Sequence, residues 1–179
     1  NSVAITGDVV STNQARRALD FLYERLLKGG AVELSDVEGA IRMAVAADDQ
    51  LTLPTMERKA KISMAQISTR KKTISARTPT QDVYMRALEQ SELVFGVGPA
   101  GTGKTYLAVA VGVTMLIGGH VDRIILSRPA VEAGERLGFL PGDMKEKVDP
   151  YLRPLYDALY DMMPGDKVER AIQAGVIEI

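Results

Sequence analysis

Near the start of the chain, apolar residues recur every three or four positions. Ala15, Ala18, Leu19, Leu22, Leu26 and Leu27 fall on one side of a helix, because about 3.6 residues per turn stack positions i, i+3, i+4 and i+7. Thr12 or Asn13 suits the N-cap and Gly29-Gly30 the stop. Just before it, Val3-Ala4-Ile5-Thr6-Gly7 is a β-branched run closed by glycine, which predicts a strand. A second helix is predicted from Ser35, with Glu38 at capping-box spacing, through Val37, Ile41 and Met43 to about Ala47. Residues 1–48 thus read as a small α+β module, marginal in stability alone.

The pattern changes over 49–77. Leu53-Pro54 breaks any helix, and Lys72 to Ala76 reads as an edge strand, with room for a hairpin. Arg58, Lys59, Lys61, Arg70, Lys71, Lys72 and Arg77 face a single acid, Glu57, between Met56 and Arg77. Such a basic connector is either a solvated linker or a contact to RNA or DNA phosphates.

From residue 78 to 179 the periodicity is α/β. Thr80 caps a helix bearing Val83, Ala87 and Leu88. Leu93-Val94-Phe95-Gly96-Val97 has the unbroken apolar character of a buried strand. A helix follows from Lys104 to about Ile117, closed by Gly118-Gly119, and Arg123 to Ser127 forms the next strand. Strand, glycine-rich turn, helix and strand predict a βαβ unit, hence a parallel sheet with helices on both faces. Ala130 to Pro141 is glycine-punctuated. Beyond it, a helix carries Val148, Leu152, Leu155, Tyr156 and Leu159, interrupted by prolines, and another starts at Pro164 to Lys167. Tyr151, Tyr156 and Tyr160 share one face of the first, as core residues or as base-stacking platforms. Val176 to Ile179 reads as a strand beginning. With Asn1 in place of an initiating Met, this predicts a piece of a longer domain.

Composition narrows the chemistry. Twenty-two basic and 23 acidic residues give a net charge of −1, so a globally basic nucleic-acid binder is excluded but a local patch is not. The absence of Cys excludes thiol catalysis and zinc ribbons, and the single His120 argues against a histidine-rich metal site. His120 instead suits the C-terminal end of its helix as a positive charge. No apolar run approaches the roughly 18 residues of a membrane span. We expect a soluble, cytoplasmic protein with no membrane partner.

Gly98-Pro99-Ala100-Gly101-Thr102-Gly103-Lys104-Thr105 fits G-x-x-x-x-G-K-[ST] in full, between a predicted strand and a predicted helix. In such a loop, glycines let backbone N–H groups wrap phosphates. The Lys104 ammonium would reach the β- and γ-phosphates, and the Thr105 hydroxyl would bind Mg²⁺. Upstream, Thr78-Pro79-Thr80-Gln81 resembles the Q-motif region of superfamily 1 helicase-like ATPases, where a Gln carboxamide reads the adenine edge. The other reading of Gln81 is a helix-cap neighbour.

Beyond the second strand, Ser127-Arg128-Pro129-Ala130-Val131-Glu132-Ala133-Gly134-Glu135-Arg136-Leu137-Gly138-Phe139-Leu140-Pro141-Gly142-Asp143, taken with the loop and the Thr-Pro-x-Gln element, closely resembles the PhoH-like family of ATPases over about 78–179. The resemblance implies a helicase-like P-loop core, ATP with Mg²⁺ as substrate, RNA as partner, and a homo-oligomer, as a ring where sites are completed across subunits. Arg70, Lys71, Lys72 and Arg128 are the candidate RNA contacts. Arg128, Glu132, Glu135 and Arg136 follow a strand's C-terminal end, as a nucleic-acid or neighbouring-subunit contact or as an ion-pair network holding the loop. The family's acidic strand ending in Asp-Glu-Ala-Gln has no counterpart before Ile179, and Glu178 lies inside a strand-like run. The implied expectation is a chain that binds ATP without efficient hydrolysis. The N-terminal module loosely resembles a KH module, but Gly7-Asp8-Val9-Val10 lacks the second glycine of G-x-x-G. Two rival functions stay open, a nucleotide-gated RNA-binding or ribosome-associated switch and a metabolic kinase.

Overall fold

A computed structural model of the chain describes residues 3–27, 29–51, 65–129 and 144–179, with 48–51 and 144–151 described by backbone alone. The predicted breaks at Leu53-Pro54, the cations Arg58, Lys59 and Lys61, and the segment with Glu132, Glu135 and Arg136 lie outside the described residues. The chain divides into two compact units, 1–66 with 75–94 and 67–74 with 95–179.

The first unit holds α1 (Val9–Leu27), α2 (Leu34–Leu51) and α3 (Pro79–Gln90). Residues 3–7 form no strand, and Val3 is 80% exposed. A single short run gains nothing from β geometry without a ladder partner, and none pairs with it among the described residues. The helix starts earlier than predicted because the Asp8 carboxylate accepts the N–H groups of Val10 and Ser11, both at 3.0 Å. These bonds, with that from the Ser11 side chain foremost, hold the Asp8 carboxyl below its ordinary value. The buried stripe of α1 is also rotated from the predicted one. Ala18 packs with Ala40 and Ala44 of α2, flanked by Phe21 and Leu22, whereas Leu19, Leu26 and Leu27 are exposed. Alanines at this contact let the two backbones approach closely, which leucines would prevent.

Glu33 opens α2: its carbonyl accepts the N–H of Val37 at 3.2 Å, and Asp36 reaches back to the Glu33 N–H at 3.0 Å. Asp36 therefore performs the reciprocal role expected of Glu38. In α3 the N-cap is Thr78, not Thr80, with Pro79 in the first turn where no N–H is needed.

The second unit holds the inner part of a hairpin, α4 (Lys104–Ile117), β3 (Ile124–Ile125), α5 (Met144–Met162), α6 (Gly165–Gln173) and β4 (Ile177–Glu178). The hairpin strands are β1 (Gln66–Ser68) and β2 (Thr73–Ser75), so the basic connector does contain one. Its turn at Arg70-Lys71 is closed by the Thr69 N–H to the Lys72 carbonyl at 2.9 Å. The core gathers Leu107, Ala110 and Val113 of α4 with Leu155, Leu159 and Met162 of α5, Val168 of α6 and Ile177.

Two further predictions are corrected. Leu93 to Val97 forms no strand, and Leu93, Phe95 and Val97 are 73%, 82% and 95% exposed. An all-apolar strand is buried only when strands flank it and helices cover both faces. Among the described residues the parallel pairing is a two-residue ladder, Ile124 with Ile177 and Ile125 with Glu178, so the broad sheet is not formed there. Second, α5 runs unbroken through Pro150 and Pro154. Its Leu155, Ala158, Leu159 and Met162 make one continuous buried stripe, and that burial outweighs the proline penalty of about 3 kcal/mol. Tyr160 on the same helix is exposed and Tyr156 half-buried, so Tyr160 is no core residue.

Candidate functional site

The loop from Gly98 to Gly103 enters α4 at Lys104, with the helix bounds where the sequence put them. Gly101 and Gly103 have φ of +75° and +86°, in the left-handed region that a Cβ disfavours. Gly103 is the N-cap; its carbonyl accepts the Leu107 N–H at 2.9 Å, but it offers no side-chain acceptor to the first turn. No acid lies in that turn. A helix start with donors outward and no carboxylate beside it suits an anion.

Lys104 lies back across its own loop. Its ammonium donates to the carbonyls of Gly98 at 2.9 Å and Pro99 at 2.6 Å, and contacts the Thr102 hydroxyl at 3.3 Å. The Thr102 hydroxyl in turn donates to the Pro99 carbonyl at 3.0 Å. Pro99 and Ala100 form the exposed crest of the loop, and Thr105 is exposed at the helix start. A phosphate here would exchange carbonyl dipoles for full negative charge around the same ammonium. These residues therefore fit a nucleotide phosphate chain. Among the described residues no group of three or more His, Asp or Glu side chains could hold a metal ion; Mg²⁺ would have the Thr105 hydroxyl and the phosphates themselves.

Gln81 lies in the first unit, where it serves the start of α3. Its backbone N–H donates to the Thr78 hydroxyl at 3.2 Å, and its Oε1 accepts the Arg77 N–H at 2.7 Å. Each residue thus satisfies a donor at the helix entry.

The hairpin lysines are engaged within the second unit. Lys71 Nζ donates to the Tyr160 carbonyl at 2.7 Å, and Lys72 Nζ is bonded to Asp161 Oδ2. Arg70 and Arg128 are exposed. Sequence reasoning missed Tyr106 and Asp161: the Tyr106 hydroxyl donates to Asp161 Oδ2 at 2.7 Å, and Lys72 Nζ sits 5.5 Å from the Tyr106 ring centroid. Burial alone would raise the Asp161 pKa, but the Lys72 and Tyr106 hydrogen bonds outweigh it and hold it below the ordinary value. Burial likewise opposes the Lys72 charge, yet Asp161 raises its pKa overall. Burial pushes the Tyr106 phenol up. Tyr106 stands two places after Lys104 in the sequence, which was the available signal; Asp161 had none.

Residues 73–179 match the model of the PhoH-like protein family. The chain belongs to the PhoH-like family. It is 47% identical over 178 residues to a PhoH-like protein of Bacillus subtilis (strain 168), covering 99% of this chain and 54% of that one. To a PhoH-like protein of Mycobacterium tuberculosis (strain H37Rv) it is 44% identical, over 100% of this chain and 49% of the relative. Protein PhoH of Escherichia coli (strain K12) is 48% identical over 66% of this chain and 34% of its own length. The chain spans about half the length of the first two PhoH-like relatives. No solved structure matches it. The PhoH-like match takes in α3 with Gln81, the loop and α4, and leaves Arg70, Lys71 and Lys72 just outside. No helix of the described residues is long and apolar enough to cross a membrane.

Proposed function

We propose that this PhoH-like chain binds ATP with Mg²⁺ through Gly98 to Thr105 and belongs to an ATPase that acts on RNA. One observation carries the reading: a full G-x-x-x-x-G-K-T loop with left-handed Gly101 and Gly103 opens directly into an acid-free helix start. Lys104 would clamp the β- and γ-phosphates and Thr105 would bind Mg²⁺, which would neutralise charge on the phosphates. Gln81 would select adenine, and Arg70, Lys71, Lys72 and Arg128 would meet RNA phosphates. The intact protein would work in the cytoplasm, as an oligomer.

The deciding experiment is calorimetric titration of ATP·Mg²⁺ into wild type and Lys104→Ala. Loss of a charge-assisted contact of about 1.5–3 kcal/mol predicts roughly 10- to 150-fold weaker binding. Equal affinity in the two proteins would refute the site. This reading assigns Mg²⁺ one side-chain ligand, Thr105, and assigns no acid to align the attacking water, so ATP should bind this chain far better than it is hydrolysed. Lys104-dependent phosphate release by residues 1–179 at an ordinary ATPase rate, about 1 per second or faster, would contradict that. A second reading, a nucleotide-gated RNA switch, is favoured by the engagement of Lys71 and Lys72 within the protein. ATP-dependent RNA affinity without strand separation would select it.

A further inference from the structure

Lys71, Lys72, Tyr106, Tyr160 and Asp161 form a cluster within the second unit. The hairpin turn sets two ammonium groups on the last turn of α5. Lys71 bonds the Tyr160 carbonyl at 2.7 Å, one of the helix-end carbonyls that lack an intrahelical donor and favour a cation. Lys72 bonds Asp161 Oδ2, the same oxygen that takes the Tyr106 hydroxyl at 2.7 Å. Tyr106 lies on the first turn of α4, beside Lys104 and Thr105. One carboxylate oxygen is thus shared by the hairpin and by the helix that follows the phosphate loop.

We propose that the hairpin is an electrostatic strap: Lys71 and Lys72 lie docked on the end of α5, and RNA phosphates compete with Asp161 and the Tyr160 carbonyl for the same two ammonium groups. The inference rests on the RNA-binding reading above. An ammonium shared between a carboxylate and a phosphate would hold the two anions side by side, and their repulsion sets docking against RNA contact. The strap is weak enough to open. The Lys72 and Asp161 side chains are 41% and 45% exposed, and ion pairs that wet are worth little, whereas a phosphate backbone gathers several cations together. Release removes one of the two donors on Asp161 Oδ2, leaving Tyr106 its sole partner of the pair. RNA binding is thereby linked to the first turn of α4, and the linkage is reciprocal: what tightens that turn changes the hairpin's affinity for RNA.

The test uses Asp161→Asn, which keeps the side-chain shape and removes the competing charge. Asp157→Asn, an exposed acid one turn earlier on α5, reports the bulk charge effect. Affinity for a labelled oligouridylate is read by anisotropy, and docking is read without RNA by the rate of tryptic cleavage after Arg70 and Lys71. We expect Asp161→Asn to be cleaved faster and to bind RNA about two- to fivefold tighter, with Asp157→Asn near wild type in both. In a Lys71→Gln/Lys72→Gln background the same Asp161 change should bring no gain, since the competed groups are gone. Wild-type cleavage rates in Asp161→Asn, an equal RNA gain from Asp157→Asn, or a gain that survives without the lysines would each overturn the strap. Wild type that binds no oligouridylate would overturn the RNA reading and the strap with it. RNA binding by wild type with no response to Asp161→Asn overturns the strap alone.

Discussion

Arg25 is the buried charge among the described residues. Its Nε donates to the Ala31 carbonyl at 2.8 Å, and one terminal nitrogen reaches Ser75 Oγ at 2.6 Å and Asp36 Oδ1 at 3.2 Å. Both ion-pair side chains are about one-tenth exposed, at 11% and 10%. Removing one partner strands the other, so Arg25→Met should cost about 3–5 kcal/mol, read as a fall in the urea midpoint. Arg25→Met with Asp36→Leu should recover most of that loss. A single variant that unfolds at the wild-type midpoint would show the pair to be idle. Gln81 poses a different problem at this scale, because it caps α3 and is also the proposed adenine reader. Gln81→Glu keeps the oxygen that accepts the Arg77 N–H and removes the NH₂ donor. Helix stability should therefore hold while the preference for ATP over GTP declines; an unchanged preference in competition titrations assigns Gln81 to capping alone. The sequence held the Thr78-to-Gln81 spacing in plain view. It could not show Arg25, since a lone Arg in a helix pattern reads as a solvent-facing charge until its partners from 31, 36 and 75 are brought to it.

The elements differ in how local their causes are. The bounds of α4 are local: glycines stand at both ends, and its middle is apolar on nearly every face, so the sequence already defines it. The hairpin's turn is local too, but its anchoring is not, since Tyr160 and Asp161 come from α5, 89 residues away in sequence. That anchoring has a definite pH signature. The Asp161 carboxyl is held below its ordinary value of 3.8, so its contribution is present above that value and is lost as pH falls through the lowered one. The Lys72 pKa is raised above 10.5, so its contribution is present below that value and is lost as pH rises through the raised one. Protection of the hairpin amides against exchange should therefore be flat from roughly pH 5 to 9 and fall at the acid end. Added salt near 1 M should lower it at any pH, because the pair is half-exposed and the Debye length drops to about 3 Å. A step in protection near pH 6.5 would mean that another group holds the hairpin.

At the scale of the whole molecule, the sequence and the described fold part company over Leu93 to Val97. Local pattern read it as a buried strand, and the reading was sound as far as local pattern reaches. Burial of a strand is decided by distant segments, and among the described residues none covers these side chains. The two situations predict opposite responses to substitution. Phe95 and Val97 are 82% and 95% exposed, so Phe95→Ser and Val97→Thr should each change stability by no more than about 0.5 kcal/mol. They should also raise the solubility of the chain, because a contiguous exposed apolar run invites association. Met162, fully buried in the second unit, provides the scale for a true core position, where Met162→Ala should cost about 2–5 kcal/mol. Thermal melts of the three variants, run beside concentration-dependent light scattering, make the comparison within one protein. If Phe95→Ser falls in midpoint as far as Met162→Ala, the segment is covered in solution, by a second copy of the chain or by a refolded sheet. A midpoint that then rises with protein concentration in wild type alone would identify the second copy as the cover.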